Sequence, residues 1–170
     1  IKKFIYKKIS KRNSLDLIKY NLNNNKGIIE YPKRGFEILD ILVKKIKRYG
    51  GGLLLIDYGI NLSSNRSTLQ SVKSHKKNKI FENIGDADIT HLVNFSLLKK
   101  FLTKNKLSVR KIVSQSFFLK RLGIIERANN LSNKMTFSEK SDIYYRIERL
   151  ISPKKMGDLF KVIFASHKEK

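Results

Sequence analysis

The stretch that most constrains this chain is Gly51–Gly59, which has the sequence GGLLLIDYG. Two glycines precede four consecutive apolar residues, and a carboxylate, a phenol and a third glycine follow. A short apolar run bounded by glycines is typical of a strand buried on both faces, as in a parallel sheet covered by helices. In open α/β sheets ligands bind beyond the carboxyl ends of the strands, so Asp57 and Tyr58 are the first functional candidates. Alternatively, Asp57 begins a turn and Tyr58 packs on the sheet edge.

Helices and strands alternate around this stretch, which predicts an α/β fold. Residues 36–48 predict a helix, because their apolar residues recur at helical spacing and their last turn is rich in lysine and arginine. Further along we predict a helix over 95–105 capped by Asn94, a strand at 109–113, short helices at 117–122 and 124–131, a helix ending at Ile151 that is capped by Ser138 without a capping box, and a final strand at 159–165.

Two regions, residues 1–35 and residues 60–82, lack a clear hydrophobic periodicity. Residues 1–35 predict an irregular excursion with two or three short strands, so the regular domain is expected over 36–170. Residues 60–82 are polar and rich in serine, asparagine and lysine, which predicts a long loop. Such loops are usually functional or disordered, and this one follows the end of a strand. We therefore expect it to lie over the ligand crevice.

The charge of the chain is extreme, since 37 basic and 14 acidic residues among 170 give a net charge of +23. A polyanion partner is one interpretation. Because most of the excess is scattered lysine beside many asparagines and isoleucines, compositional drift explains it as well, and we do not expect nucleic acid as a partner. No apolar run approaches the ~18–20 residues that a membrane span needs. Ile1 is not an initiator methionine, so we expect a fragment or a processed product.

No chemical motif stands out when the residues are taken one by one. Asp86, Asp88 and His91 do not have the spacing of a recognised metal loop, and the chain has no cysteine, so we predict no metal site. The nucleophile elbow, the dinucleotide fingerprint and the phosphate-binding loop are all absent from the sequence. Thr90 and His91 are equally compatible with the entry to a helix, and Gln115 with a helix cap.

The order of several short segments along the chain is more informative than the single residues. The segments are LIDYG at 55–59, Leu69 with His75, DITH at 88–91, Gln115 with FL at 118–119, and MGDLFKV at 156–162. This order resembles the carboxyl-terminal half of the MidA family over about residues 36–166. Members of that family are class I S-adenosylmethionine-dependent methyltransferases, and their mitochondrial members help to assemble respiratory complex I. The resemblance implies methyl transfer to a protein arginine.

The resemblance also implies a Rossmann-like methyltransferase sheet of seven strands with the last strand antiparallel. Residues 53–57, 109–113 and 159–165 would then be the fifth, sixth and seventh strands. Two features depart from the family pattern. Asn94 replaces the usual aspartate, and the glycine-rich cofactor loop belongs to the amino-terminal half, which is absent. We therefore expect no main cofactor-binding residues in this chain, and expect the chain alone to bind S-adenosylmethionine weakly and to be inactive.

The residues carried over from the family would form the acceptor side of the active site. Carboxylates there would orient the cationic arginine, which assigns that role to Asp57 and Asp88. The full set of predicted wall residues is Asp57, Tyr58, Gly59, His75, Asp88, Thr90, His91 and Gln115.

The resemblance further implies a protein substrate, with a complex I subunit as the candidate, and leaves a homodimer open. It implies the mitochondrial matrix in a eukaryote and the cytoplasm in a bacterium. Two other functions remain open at this point. One is a basic interaction module that binds RNA or a protein without catalysis. The other is a degenerate methyltransferase-like assembly factor.

Overall fold

The computed structural model describes residues 28, 30–61 and 67–167, which form an α/β structure around one main sheet. The helices are α1 (Lys33–Tyr49), α2 (Phe95–Lys104), α3 (Gln115–Arg121), α4 (Ile124–Ser132), α5 (Phe137–Ile151) and α6 (Met156–Leu159). The strands are β1 (Gly52–Ile60), β2 (Gln70–Lys73), β3 (Lys76–Asn78), β4 (Asp88–Thr90), β5 (Val93–Asn94), β6 (Ser108–Val109), β7 (Val113–Ser114) and β8 (Phe160–Ser166).

The main sheet has the order β5-β1-β8-β6, and β7 also pairs with β8. β8 is antiparallel to β1, β6 and β7, whereas β1 and β5 are parallel. The prediction that three strands share one sheet with the last antiparallel is confirmed. The middle strand of the three is divided into β6 and β7, because residues 110–112 leave the ladder while Arg110 N still donates to the Phe164 carbonyl at 2.9 Å.

Helices α1 and α2 cover one face of the main sheet, which we call the closed face. The core on this side comprises Phe36, Leu39, Val43, Ile46, Phe95, Leu97, Leu98, Phe101, Leu102, Leu107, Ile163 and Ala165. Ile163 is 0% exposed. Burial of this apolar surface by two amphipathic helices is the main source of stability that the structure shows.

The opposite face, which we call the open face, contradicts the prediction that β1 is buried on both sides. Directly opposed residues of an antiparallel pair point to the same face, and Leu54 opposes Phe164 while Ile56 opposes Val162. Leu54 and Ile56 are nevertheless 44% and 41% exposed. Within the described part of the chain, helices cover this face beside β7 but not over β1.

The ends of the first two helices follow from local chemistry. α1 stops at Gly50, whose φ of 79° is readily adopted by glycine. α2 begins after Asn94, whose side chain accepts a hydrogen bond from Leu97 N at 3.0 Å. The prediction that Asn94 is the N-cap is confirmed. This cap anchors α2 directly after β5, beside the carboxyl end of β1.

The predicted loop at 60–82 is wrong in its second half. β2 and β3 form a hairpin there, and β4 adds to it as a three-stranded antiparallel sheet. Ser74 and His75 form the turn with positive φ values of 49° and 62°. Tight hairpin turns need this conformation, usually from asparagine or glycine, so the sequence carried no turn signal. Residues 62–66 of the predicted loop lie outside the described residues.

The predicted start of α5 is also wrong. Thr136 rather than Ser138 is the N-cap, and it forms a capping box with Glu139. The Thr136 side chain accepts from Glu139 N at 3.4 Å, and the Glu139 carboxylate accepts from Thr136 N at 2.8 Å. The spacing of threonine and glutamate fits the box, whereas Ser138 has no acidic partner three residues on.

The predicted boundary at residue 36 shifts slightly, since α1 already starts at Lys33 after Pro32. Ile28, Glu30 and Tyr31 are not in a strand, contrary to the short strand predicted there. The other strands predicted in the first 27 residues lie outside the described residues.

Candidate acceptor site at the carboxyl end of β1

The carboxyl end of β1 presents a carboxylate and a phenol to solvent. Asp57 is exposed, and its Oδ1 accepts a hydrogen bond from Tyr58 N at 2.7 Å. Lys161 of β8 lies directly opposite Asp57 in the ladder. The Tyr58 ring tilts against Phe160 with centroids 4.1 Å apart. Neighbouring residues of a strand point to opposite faces, so the carboxylate of Asp57 lies on the closed-face side of this edge and the Tyr58 ring lies with Phe160 on the open-face side.

Gly59 serves the packing of this edge. A Cβ at Gly59 would lie 2.3 Å from Phe95 Cδ2 and 2.7 Å from the Val93 carbonyl oxygen. No side chain fits at such distances, so the glycine allows β5 and the first residue of α2 to approach β1. Its place in the Asp57-Tyr58-Gly59 motif thus has a steric cause.

His91 reaches the same edge from the link between β4 and β5. β5 pairs with β1 in parallel from Val93 opposite Gly59, and His91 lies two residues before that pair. Its Nδ1 is 3.0 Å from the Leu92 carbonyl, which can only accept, so Nδ1 is the donor in this contact. In the tautomer with this proton on Nδ1, Nε2 is an acceptor.

Glu30 is a carboxylate near this edge whose contacts the sequence did not predict. Its carboxylate accepts hydrogen bonds from Ser67 Oγ at 2.8 Å, from Thr68 N at 2.7 Å, from Leu69 N at 2.9 Å and from Thr68 Oγ1. Burial raises the pKa of Glu30, but the hydrogen bonds from Thr68, Ser67 and Leu69 lower it overall below its ordinary 4.5. Thr68 Oγ1 in turn accepts from Leu92 N at 2.8 Å, which links Glu30 to the edge.

The other predicted wall residues are more dispersed. Thr90 lies on β4 opposite Gln70, whose amide donates to its hydroxyl at 3.2 Å. Asp88 is on the same strand and is exposed. His75 lies in the β2–β3 turn, at the end of the hairpin away from Thr90. Gln115 is buried and donates to the Leu150 carbonyl at 2.9 Å, so its amide ties α3 to α5.

In the ranges that the structure describes, no group of three or more histidine, aspartate or glutamate side chains is placed to hold a metal ion. No helix among these residues has the length and apolar character to cross a bilayer.

Residues 3–113 match the model of a family of S-adenosyl-L-methionine-dependent methyltransferases. This match covers well over half of the chain and includes β1, β5 and α2. The chain belongs to this family. The resemblance inferred from the order of short segments is confirmed.

The named relatives of this chain are mitochondrial proteins. It is 32% identical over 124 residues to the protein arginine methyltransferase NDUFAF7 of Danio rerio, which is 73% of this chain and 29% of the relative. It is 31% identical over 124 residues to the Homo sapiens protein of the same name, which is 72% of this chain and 28% of the relative. The chain therefore spans under a third of the length of these relatives.

A solved structure is also similar to this chain, and the similarity again covers only part of the longer protein. A Burkholderia thailandensis protein bound to S-adenosyl-homocysteine aligns with a TM-score of 0.62 and 25% identity, over 75% of this chain and 36% of that one. The predicted fold class, a part of a Rossmann-like methyltransferase domain, is confirmed.

The residues described here do not fit the role of a cradle for the cofactor. β1 is not followed by a glycine-rich turn and a helix, but leads toward the small sheet of β2, β3 and β4. Gly59, the glycine at its end, has its free side filled by Phe95. The described residues at the end of β1 thus form a packed edge rather than a pocket for an adenosine group.

Proposed function

We propose that this chain is the acceptor-side part of a protein arginine methyltransferase that uses S-adenosylmethionine. The observation that carries the proposal is the match to arginine methyltransferases across the span that contains the β1 edge. The geometry supports it, because that edge presents an exposed carboxylate in a chain of net charge +23. A basic protein that accepts an arginine needs such a local acidic group.

The carboxylate of Asp57 would hold the incoming guanidinium. Its two oxygens match the fork of guanidinium N–H groups, which makes charge-assisted hydrogen bonds strong and directional. The Tyr58 ring, backed by Phe160, points to the other face of β1 and would stabilise the strand end that carries Asp57. The carboxylate of Asp57 would fix the direction in which the reacting nitrogen points.

Alignment is the main requirement of the reaction. When bound, S-adenosylmethionine supplies a methyl group on an electrophilic sulfonium. Holding the guanidinium nitrogen in line contributes most of the acceleration expected from this chain. The nitrogen must also lose a proton, and Nε2 of His91, whose Nδ1 contacts the Leu92 carbonyl, would be the group that accepts it.

The acceptor that we propose is an arginine of a respiratory complex I subunit. The relatives named above are mitochondrial, which supports the mitochondrial matrix as the place of action. In a bacterial host, the same reaction would take place in the cytoplasm.

The test substitutes the carboxylate in the complete polypeptide that carries this chain. Asp57→Asn removes the charge but keeps the shape, so we expect arginine methylation to fall roughly 10–100-fold. Affinity for S-adenosylmethionine should stay nearly unchanged, because Asp57 lies on the acceptor side. Methylarginine in co-expressed complex I subunits is measured by mass spectrometry, and cofactor affinity by calorimetry.

The matched control is Asp142→Asn on α5, which removes an exposed carboxylate far along the chain from β1. It should leave methylation intact. Unchanged methylation in Asp57→Asn would refute the role of Asp57. If the unaltered polypeptide supports complex I assembly but transfers no methyl group, the degenerate assembly factor replaces the enzyme.

A further inference from the structure

A cleft of about 840 Å³ lies on the open face of the main sheet, between α3 and β8. We call it the open-face cleft. Val113 and Val162 oppose each other across β7 and β8 on its floor, and Phe117 of α3 forms one wall. Phe117 is 52% exposed. A concave apolar surface of this size is in the range of ligand sites.

The rim of the open-face cleft is cationic. Arg110 and Lys111 come from the segment between β6 and β7, and Arg121 comes from the last turn of α3. None of the described residues that line the cleft is acidic. Arg110 lies over the Phe164 ring at 5.9 Å, so its charge is held directly above the apolar floor. An occupant must therefore combine apolar groups with negative charge.

The apolar surface continues beyond the cleft. Val162 and Phe164 of its floor oppose Ile56 and Leu54 of β1 on the same face. The row across β7, β8 and β1 is thus roughly 10 Å wide, since neighbouring strands are about 4.8 Å apart. This width equals the diameter of an α-helix, about 10–12 Å, and exceeds what a small ligand would cover.

From this shape and charge we propose that the open-face cleft binds an acidic amphipathic helix of a partner protein. Its apolar stripe would lie on Phe164 and Phe117, above the buried Val162, in the manner of helix-in-groove recognition. Its carboxylates would face Arg110, Lys111 and Arg121. A second copy of this chain is disfavoured as the occupant, because two chains of net charge +23 repel each other.

The surface is separate from the acceptor edge. Most lining residues of the cleft, including Phe117, Arg121 and Val162, lie beyond residue 113, where the family match ends. Methyl transfer is not required for the docking, and the binding assay does not measure it.

The test uses a synthetic amphipathic helix of about 18 residues with a leucine stripe and glutamate flanks. Its binding to the folded chain is followed by fluorescence anisotropy in about 0.15 M salt, which screens general attraction. The charge reversal Arg110→Glu with Arg121→Glu should weaken binding at least about tenfold. Phe117→Ser should also weaken it, and because Phe117 is half-exposed, circular dichroism should show an intact fold.

The matched control Lys45→Glu with Lys99→Glu makes the same charge change on α1 and α2, behind the closed face. It should change affinity by about threefold or less. Three results would overturn the proposal: equal weakening by both double substitutions, equal binding of a scrambled acidic peptide, or no binding to the chain. Failure of the complete polypeptide to bind would show that its own residues cover the cleft, which would also overturn it.

Discussion

The two faces of the main sheet are built from similar residues but have different surroundings. On β8, Ile163 points to the closed face and is fully buried, whereas on β1, Ile56 points to the open face and is 41% exposed. Both are isoleucines in central strands of the same sheet. The difference shows that an apolar side chain stabilises the fold only where another element packs against it. On this sheet, the helices that cover the closed face determine how much stability each isoleucine contributes.

Truncation of one isoleucine on each face tests the difference between the two faces most directly. Ile163→Ala removes fully packed atoms and leaves a cavity, so we expect a loss of about 2–5 kcal/mol in the free energy of unfolding. Ile56→Ala removes atoms that are already partly hydrated, and the loss should stay at or below about 1 kcal/mol. Urea denaturation of the two variants measures both values. Equal losses would mean that the open face is covered in solution.

A second test concerns the hydrogen bonds that hold Glu30 against residues 67–69, outside both sheet faces. Because the folded pKa of Glu30 lies below its ordinary 4.5, its stabilising contribution is present above the unfolded pKa. That contribution is lost as the pH falls through the folded pKa. Glu30→Gln should lower the melting temperature at pH 7, since its amide turns N–H groups toward the donors of Ser67 and Thr68. The difference from the unaltered chain should shrink as the pH falls below 4.5.

The control for this pH test is Glu37→Gln. Its carboxylate pairs with Arg34 on exposed α1 at 3.0 Å, and such pairs contribute little. The result would contradict the role of Glu30 if both variants had the same pH profile of melting temperature.

The smallest expected effect is at the start of the closed-face helix α2. Asn94→Asp should change the free energy of unfolding by only a few tenths of a kcal/mol, because both side chains accept from a backbone N–H at an N-cap. Asn94→Ala loses the bond to Leu97 N and should cost about 1 kcal/mol. Thermal unfolding distinguishes the two. A large gain of methylation in the Asp variant of the complete polypeptide would show a chemical role for the aspartate usual in the family.

Much of the closed face could be predicted from the sequence, because its elements carry strong apolar periods. α1, β1, α2 and β8 were located to within a few residues for that reason. The small sheet could not be predicted, since β2 and β3 are polar and are held by backbone pairing around a turn of Ser74 and His75. The exposure of the open face was not predicted either, because the apolar pattern of one strand does not show whether other elements pack against it.

The candidate site was predictable only where it follows a strand end. Asp57 and Tyr58 could be placed near the carboxyl end of a strand from the sequence, because an apolar run precedes them. The contacts of Glu30 could not be predicted, because its hydrogen-bond partners lie some forty residues further on and have no spacing rule. For Gln115 the position after a strand suggested a role in the site, but the side chain is buried and its amide joins two helices.

The place of β8 at the centre of the main sheet has a consequence for synthesis. β1, β6 and β7 all pair with it, and all three leave the ribosome before it. Gly52 pairs with Ser166, so β1 lacks its β8 partner until residues 160–166 have been synthesised. Such long-range pairing is slow and exposes aggregation-prone edges. A stop codon that removes residues after Leu159 would therefore yield insoluble protein rather than a smaller folded one.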